Sequence, residues 1–138
     1  MHAKEDFFED GCHGERCWGY GWMSLNGMIT AYKTGIRYDR LGNHKTAFSR
    51  VLKKSFQWYA ASVSPTLEHL NYGDGGIGDA TSVFNAAKEL FPEFEKLPGL
   101  LGVDRSKSRI LYPSGYAFMV ADDSRSRRSG ERRVGKEG

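Results

Sequence analysis

Apolar positions repeat with two different periods along the chain, and the change of period divides it. Trp22, Leu25, Ile29 and Tyr32 are spaced by 3, 4 and 3 residues, which lines one face of an α-helix. Gly35 is placed to end that helix, because glycine enters the left-handed conformation of a C-terminal cap without steric cost. A turn-rich stretch around Asp39, Gly42 and Asn43 follows. Phe48, Val51, Leu52, Ser55, Phe56, Tyr59 and Val63 then trace a second helix of about five turns, and Pro65 stops it. The short connection predicts that the two helices are antiparallel neighbours.

The segment NYGDGGIGD, residues 71–79, has four glycines in nine positions and predicts a tight loop with exposed backbone. Asp79 or Thr81 can cap a third helix, whose buried face is Val83, Phe84, Ala87, Leu90 and Phe91 and which ends at Pro92. From Pro98 to Arg109 the chain is a connector containing glycine and charge. Beyond it the period becomes two: Ile110 and Tyr112, then Tyr116, Phe118 and Val120, alternate across a Pro-Ser-Gly turn, which predicts two short strands. The fold class is therefore mainly α with a short β segment. Three helices and one hairpin leave apolar faces without partners, so the pattern predicts a piece of a larger protein in which Met1 is an internal methionine.

Composition agrees with folded protein: 39% of the 138 residues are hydrophobic and 27% charged. No apolar run reaches the roughly 18 residues of a membrane span, and no leader pattern is visible, so no membrane partner is expected. The net charge of +3 changes meaning once it is located. Residues 125–138, RSRRSGERRVGKEG, carry six positive and two negative charges and one aliphatic residue, Val134. The tail is thus +4, leaving −1 for residues 1–124, and a nucleic-acid partner loses its electrostatic support. With no apolar period the tail is expected to be disordered, and RSGERRVGKE resembles the translation of a sequencing adapter. Arg50, Lys53 and Lys54 fall on the solvated side of the second helix, where they favour solubility.

The densest chemistry is DGCHGERCWGYG, residues 10–21, which brings two acids, a histidine, an arginine and a tyrosine to the start of the first helix. Tyr20 can act as an acid or base if a neighbouring cation such as Arg16, or hydrogen bonds to the phenolate, lower its pKa from about 10. The same positions can equally be aromatic packing by Trp18, Tyr20 and Trp22. His13 is either a subsite or acid/base group beside the tyrosine or an ordinary loop histidine. Cys12, His13 and Cys17 number three where a closed zinc site takes four, so no metal is predicted. Asn71, Tyr72, Asp74 and Asp79 on the glycine loop can meet sugar hydroxyls or simply hold the loop.

The order of these motifs carries a resemblance. A DG pair, Glu15, Tyr20 five residues later, an apolar helix, a Gly-Asp loop, a helix ending in an aromatic and the strand YPSGYAFMV together resemble the heparinase II/III family of polysaccharide lyases over roughly residues 7–122. The resemblance implies an α/α toroid followed by an antiparallel β-sandwich. Residues 1–97 would be the C-terminal part of the toroid and residues 98–124 the linker and first sandwich strands. It implies β-elimination on an acidic polysaccharide or oligosaccharide that contains uronic acid, with no cofactor: a base removes the C5 proton, the enolate is stabilised, and an acid protonates the departing O4. Tyr20 would be the catalytic tyrosine, and His13, Glu15, Arg16, Trp18, Asn71 and Asp74 would bind substrate. A periplasmic or extracellular location would follow.

The chain departs from the family pattern at Gly21, where a histidine often follows the tyrosine. Asn43 and His44 come after Tyr20, the wrong order for the family's neutralising residue, and read as loop and helix cap. The upstream neutraliser and the sandwich-domain histidine would both lie outside this stretch, so the stretch alone is expected to be inactive. Two other readings stay open: a toroid glycosidase or epimerase using Asp10, Glu15 or Asp74 as paired carboxylates, and a non-catalytic carbohydrate-binding module.

Overall fold

The computed structural model describes residues 6–15, 17–69 and 78–120. These form a mainly helical fold with two short antiparallel sheets. Helix α1 is Trp18–Arg37, α2 is Lys45–Ser62 and α3 is Thr81–Leu90; strands β1 (Glu68–His69) and β2 (Gly78–Asp79) pair with each other, as do β3 (Arg109–Leu111) and β4 (Tyr116–Phe118).

Helix α2 is the centre. Its apolar face buries Phe48, Leu52, Phe56 and Tyr59, and its last turn, Trp58 to Ser62, is buried on every side. Tyr32 of α1 meets Phe48 near the start of α2 (5.3 Å between ring centroids), while Trp18 at the start of α1 meets Tyr59 near the end of α2 (4.6 Å). The two helices therefore run antiparallel. Helix α3 closes another side with Val83, Phe84 and Ala87, and Phe91 just beyond it packs against Tyr32 and Phe56. Each large apolar side chain buried in this way contributes about 1.5–3 kcal/mol relative to exposure.

The helix ends differ from the sequence expectation where packing overrides propensity. Gly35 does not cap α1, which continues to Arg37. A Cβ at Gly35 would lie 2.4 Å from Leu41 Cδ2, so the glycine admits the returning chain against the helix. The buried stripe of α1 is Trp18, Gly21, Leu25, Ile29, Tyr32 and Gly35, with Trp22 only partly covered. Ala80 is the N-cap residue of α3, and the carboxylate of Asp79 accepts the Thr81 amide (2.8 Å) and hydroxyl (2.6 Å). Pro92 ends α3 and opens a 3-10 turn, Pro92–Lys96, that buries Phe94. Lys53 is more than a solubilising charge: it pairs with Glu93 at 2.6 Å and lies 4.9 Å from the Phe91 ring centre.

In the β3–β4 hairpin Arg109 pairs with Phe118, Ile110 with Ala117 and Leu111 with Tyr116. Tyr116 packs edge-on against Trp58 of α2, and Leu111 is also packed against the core. Ile110 and Tyr112, 77% and 84% exposed, face the other way. Only one side of a two-stranded ribbon can rest on α2, and in β3 that side belongs to the odd-numbered residues.

Two long-range ties fix the connector and hairpin to α2. Gln57 Nε2 donates to the Leu101 carbonyl at 3.1 Å. The Arg105 guanidinium donates to the carbonyls of Val63 and Ser64, where the chain leaves α2.

Candidate functional site

The segment before α1 is a compact loop laid on α2. Its backbone closes through Phe8 N–H to Cys12 O (2.8 Å) and Gly14 N–H to Asp6 O (2.7 Å), with Phe7 buried beneath. Gly11 has φ +94°, and a Cβ there would lie 2.2 Å from the Lys54 carbonyl oxygen. The loop backbone can approach α2 this closely only with glycine at that position. Asp10, beside it, bridges to the far end of the described chain. One carboxylate oxygen accepts the Cys12 amide (3.2 Å), and the other accepts both the Ser114 amide (3.1 Å) and the Ser114 hydroxyl. The DG pair of the first motif is thus bonded to the PSG turn of the last.

This loop and the first turn of α1 place the predicted site residues at different depths. Tyr20 is 47% exposed and makes no hydrogen bond or ring contact among the described residues, so its phenol is open to solvent. Glu15 is exposed. The His13 ring stands edge-on to Phe7, and its Nδ1 accepts the Glu15 amide at 3.3 Å. In the neutral ring that bond leaves the proton on Nε2, which makes the outer nitrogen a hydrogen-bond donor rather than a base.

Trp18 lies deep in the core. It is 4% exposed, its indole N–H donates to Ser62 Oγ (3.3 Å), and its carbonyl accepts the Tyr59 hydroxyl (3.4 Å). Within this fold its ring meets other side chains instead of solvent, which leaves Tyr20 as the accessible aromatic of the motif. Arg16, Asn71 and Asp74 lie outside the described residues.

The structure adds His69, which the sequence pattern did not single out. Its ring stacks on Trp18 at 4.2 Å with 13° between planes, and its Nδ1 is buried without a hydrogen-bond partner among the described residues. A Cβ at Gly78 would come within 2.6 Å of His69 Nε2, so the glycine opens the space the imidazole fills. His69 and Gly78 are paired across β1 and β2, and the Trp18 stack sets this pairing beside the start of α1. A histidine between a proline and a glycine run has no periodic signal; only the β1–β2 pairing brings it to Trp18.

Gly21 is constrained as well: a Cβ there would be 2.6 Å from Tyr59 Oη and 3.0 Å from His13 Cβ. Position 21 therefore has no room for a side chain in this packing. Cys12 and Cys17 are both buried and neither forms a disulfide, and among the described residues no group of three His, Cys, Asp or Glu side chains is arranged to hold a metal ion. No helix among them is long and apolar enough to cross a membrane.

Beside the loop, an open cleft of about 580 Å³ runs between Asp10, Lys54 and Trp58 on one side and Asp104, Lys107 and Arg109 on the other. Its charges are mixed. Hydrogen bonds from the Ser106 hydroxyl and amide hold the Asp104 carboxyl below its ordinary value of 3.8. No family model, curated protein or solved structure matches the chain.

Proposed function

We propose that the chain is part of a polysaccharide lyase that cleaves a uronic-acid-containing polysaccharide by β-elimination. In this reading the helices are the end of an α/α toroid and β3–β4 the opening of a β-sandwich, and the protein works in the periplasm or outside the cell. The observation that carries it is the Asp10–Ser114 bond, which joins two of the motifs on which the resemblance rests across 104 residues of sequence. On the first turn of α1, Tyr20 presents an exposed phenol that makes no hydrogen bond among the described residues.

The chemistry needs such a group. Elimination breaks the C5–H and O4–C4 bonds, and the departing O4 leaves as a hydroxyl only if an acid protonates it. An exposed phenol on the first turn of a packed helix is positioned by the scaffold while remaining reachable by substrate. His13, through its Nε2 proton, and Glu15 border the same turn and serve as hydrogen-bonding partners for sugar hydroxyls. The competing glycosidase or epimerase reading is weakened because both oxygens of Asp10 are engaged in holding the loop and the hairpin.

The test uses the full-length gene product and a panel of uronic-acid polymers, reading the ultraviolet absorbance of the unsaturated uronide. The lyase reading expects that absorbance to rise, and Tyr20→Phe to abolish turnover with substrate affinity kept within a few-fold. Turnover surviving in Tyr20→Phe would remove Tyr20 from the mechanism. Sugar release or sugar binding without the unsaturated product would replace the lyase by a hydrolase or a binding module.

A further inference from the structure

The connector into β3 carries three cations in five residues, Arg105, Lys107 and Arg109, and all three line a groove of about 660 Å³. The remaining described walls are apolar or neutral, among them Val63, Pro65 and Phe118, and no carboxylate among the described residues lines the groove. Among the described residues these charges are poorly answered. The Arg105 guanidinium is fixed by the Val63 and Ser64 carbonyls. Among the described residues, Arg109 reaches only the Lys107 carbonyl, at 3.5 Å. Among the described residues neither arginine forms an ion pair, and Lys107 meets Asp104 only at 3.9 Å with both side chains exposed.

Burial, followed by the nearby charge of Arg109, holds the Arg105 guanidinium below its ordinary value. Like charges gathered against apolar walls create a field that a bound anion relieves. The volume falls within the range of small-molecule sites, roughly 300–1,000 Å³.

We propose that this groove binds a small molecule bearing a carboxylate on an apolar body. Arg109 and Lys107 hold the carboxylate, Arg105 fixes the wall between them and α2, and Phe118 and Val63 contact the body. An arginine fork beside a lysine suits a carboxylate, which accepts two parallel N–H bonds from the guanidinium and a further one from the ammonium. An aliphatic acid and a sugar acid, whose ring offers a CH face, share this chemistry. The proposal does not depend on the lyase reading.

The test is calorimetric titration of the full 138-residue chain with hexanoate and with digalacturonate. Hexanol and the methyl ester of digalacturonate serve as the uncharged counterparts. At least one carboxylate should bind about tenfold or more tightly than its counterpart, and the preferred one identifies the source. Arg109→Gln should weaken that binding about tenfold or more, with Arg109→Lys intermediate, the loss expected when a charge-assisted hydrogen bond is removed. Arg109 is the residue to change because Arg105 also holds backbone, and a circular dichroism spectrum checks that the variant is folded. Lys33→Gln, which breaks an ion pair with Glu89 outside the groove, should leave affinity unchanged. Equal binding of charged and uncharged probes, or equal loss in Arg109→Gln and Lys33→Gln, overturns the proposal.

Discussion

Gly21 and Gly27 lie on the same helix, yet the same substitution should act on them in opposite directions. In a helix interior, alanine is favoured over glycine by roughly 0.8–1.0 kcal/mol because it loses less backbone entropy. A Cβ at Gly27 meets nothing within 4 Å, so Gly27→Ala should gain about that amount. A Cβ at Gly21 meets Tyr59 Oη at 2.6 Å and His13 Cβ at 3.0 Å. The phenol cannot swing aside freely, since Tyr59 is 1% exposed, bonded to the Trp18 carbonyl and packed edge-on against Trp18 and Trp58. Overpacking at such a site costs about 1–3 kcal/mol. Because the propensity gain is common to both variants, the difference between them isolates the contact, and Gly21→Ala should be about 1–3 kcal/mol less stable than Gly27→Ala. Urea unfolding followed by far-ultraviolet circular dichroism measures this directly. Equal stabilisation by both substitutions would refute the packing of Tyr59 and His13 against α1, and with it the account of why position 21 is glycine.

Two further outcomes follow from named bonds. Asp10→Ala strands the buried Ser114 amide and hydroxyl and should destabilise the chain by about 2–4 kcal/mol; a double-mutant cycle with Ser114→Ala should show a coupling of about 1 kcal/mol, and a coupling of zero would break the proposed tie. Hydrogen bonds from the Thr81 hydroxyl and amide hold the Asp79 carboxyl below its ordinary value of 3.8, so its contribution is present above that value and is lost as pH falls through the lower, folded-state value. The stability gap between the parent chain and Asp79→Ala, measured by denaturant unfolding from pH 7 downward, should therefore close in acid; a gap that stays constant would contradict it.

How much of this was written in the sequence depends on the range of the interaction. Phe48, Leu52, Phe56 and Tyr59 could be read as one buried face because helix periodicity is local, and Val83, Phe84 and Ala87 likewise. Trp58 breaks that pattern: it lies off the main stripe, and Tyr116 of the β3–β4 hairpin comes back to pack against it. For the same reason alternation alone could not decide which side of β3 faces inward. Gly35 looked like a cap because glycine often is one, whereas here Leu41 occupies the space a side chain would need. At the candidate site, the type and order of Asp10, His13, Glu15 and Tyr20 were legible. The burial of Trp18 and its stack on His69 were not, because they depend on a strand pairing with no signature in the residues themselves.

The bond from Asp10 to Ser114 has a consequence for how the chain folds and comes apart. Contacts within and between the helices close short stretches, but this one closes a loop of 104 residues, with an entropic cost on the order of 4 kcal/mol before constants. Such a closure is favourable only once the intervening helices have already drawn the ends together, so the N-terminal loop and the hairpin dock late and as one step. They should also be the first to release together. A clip or truncation at either end would then loosen the other, and proteolytic susceptibility near Asp10 would report on the integrity of the hairpin.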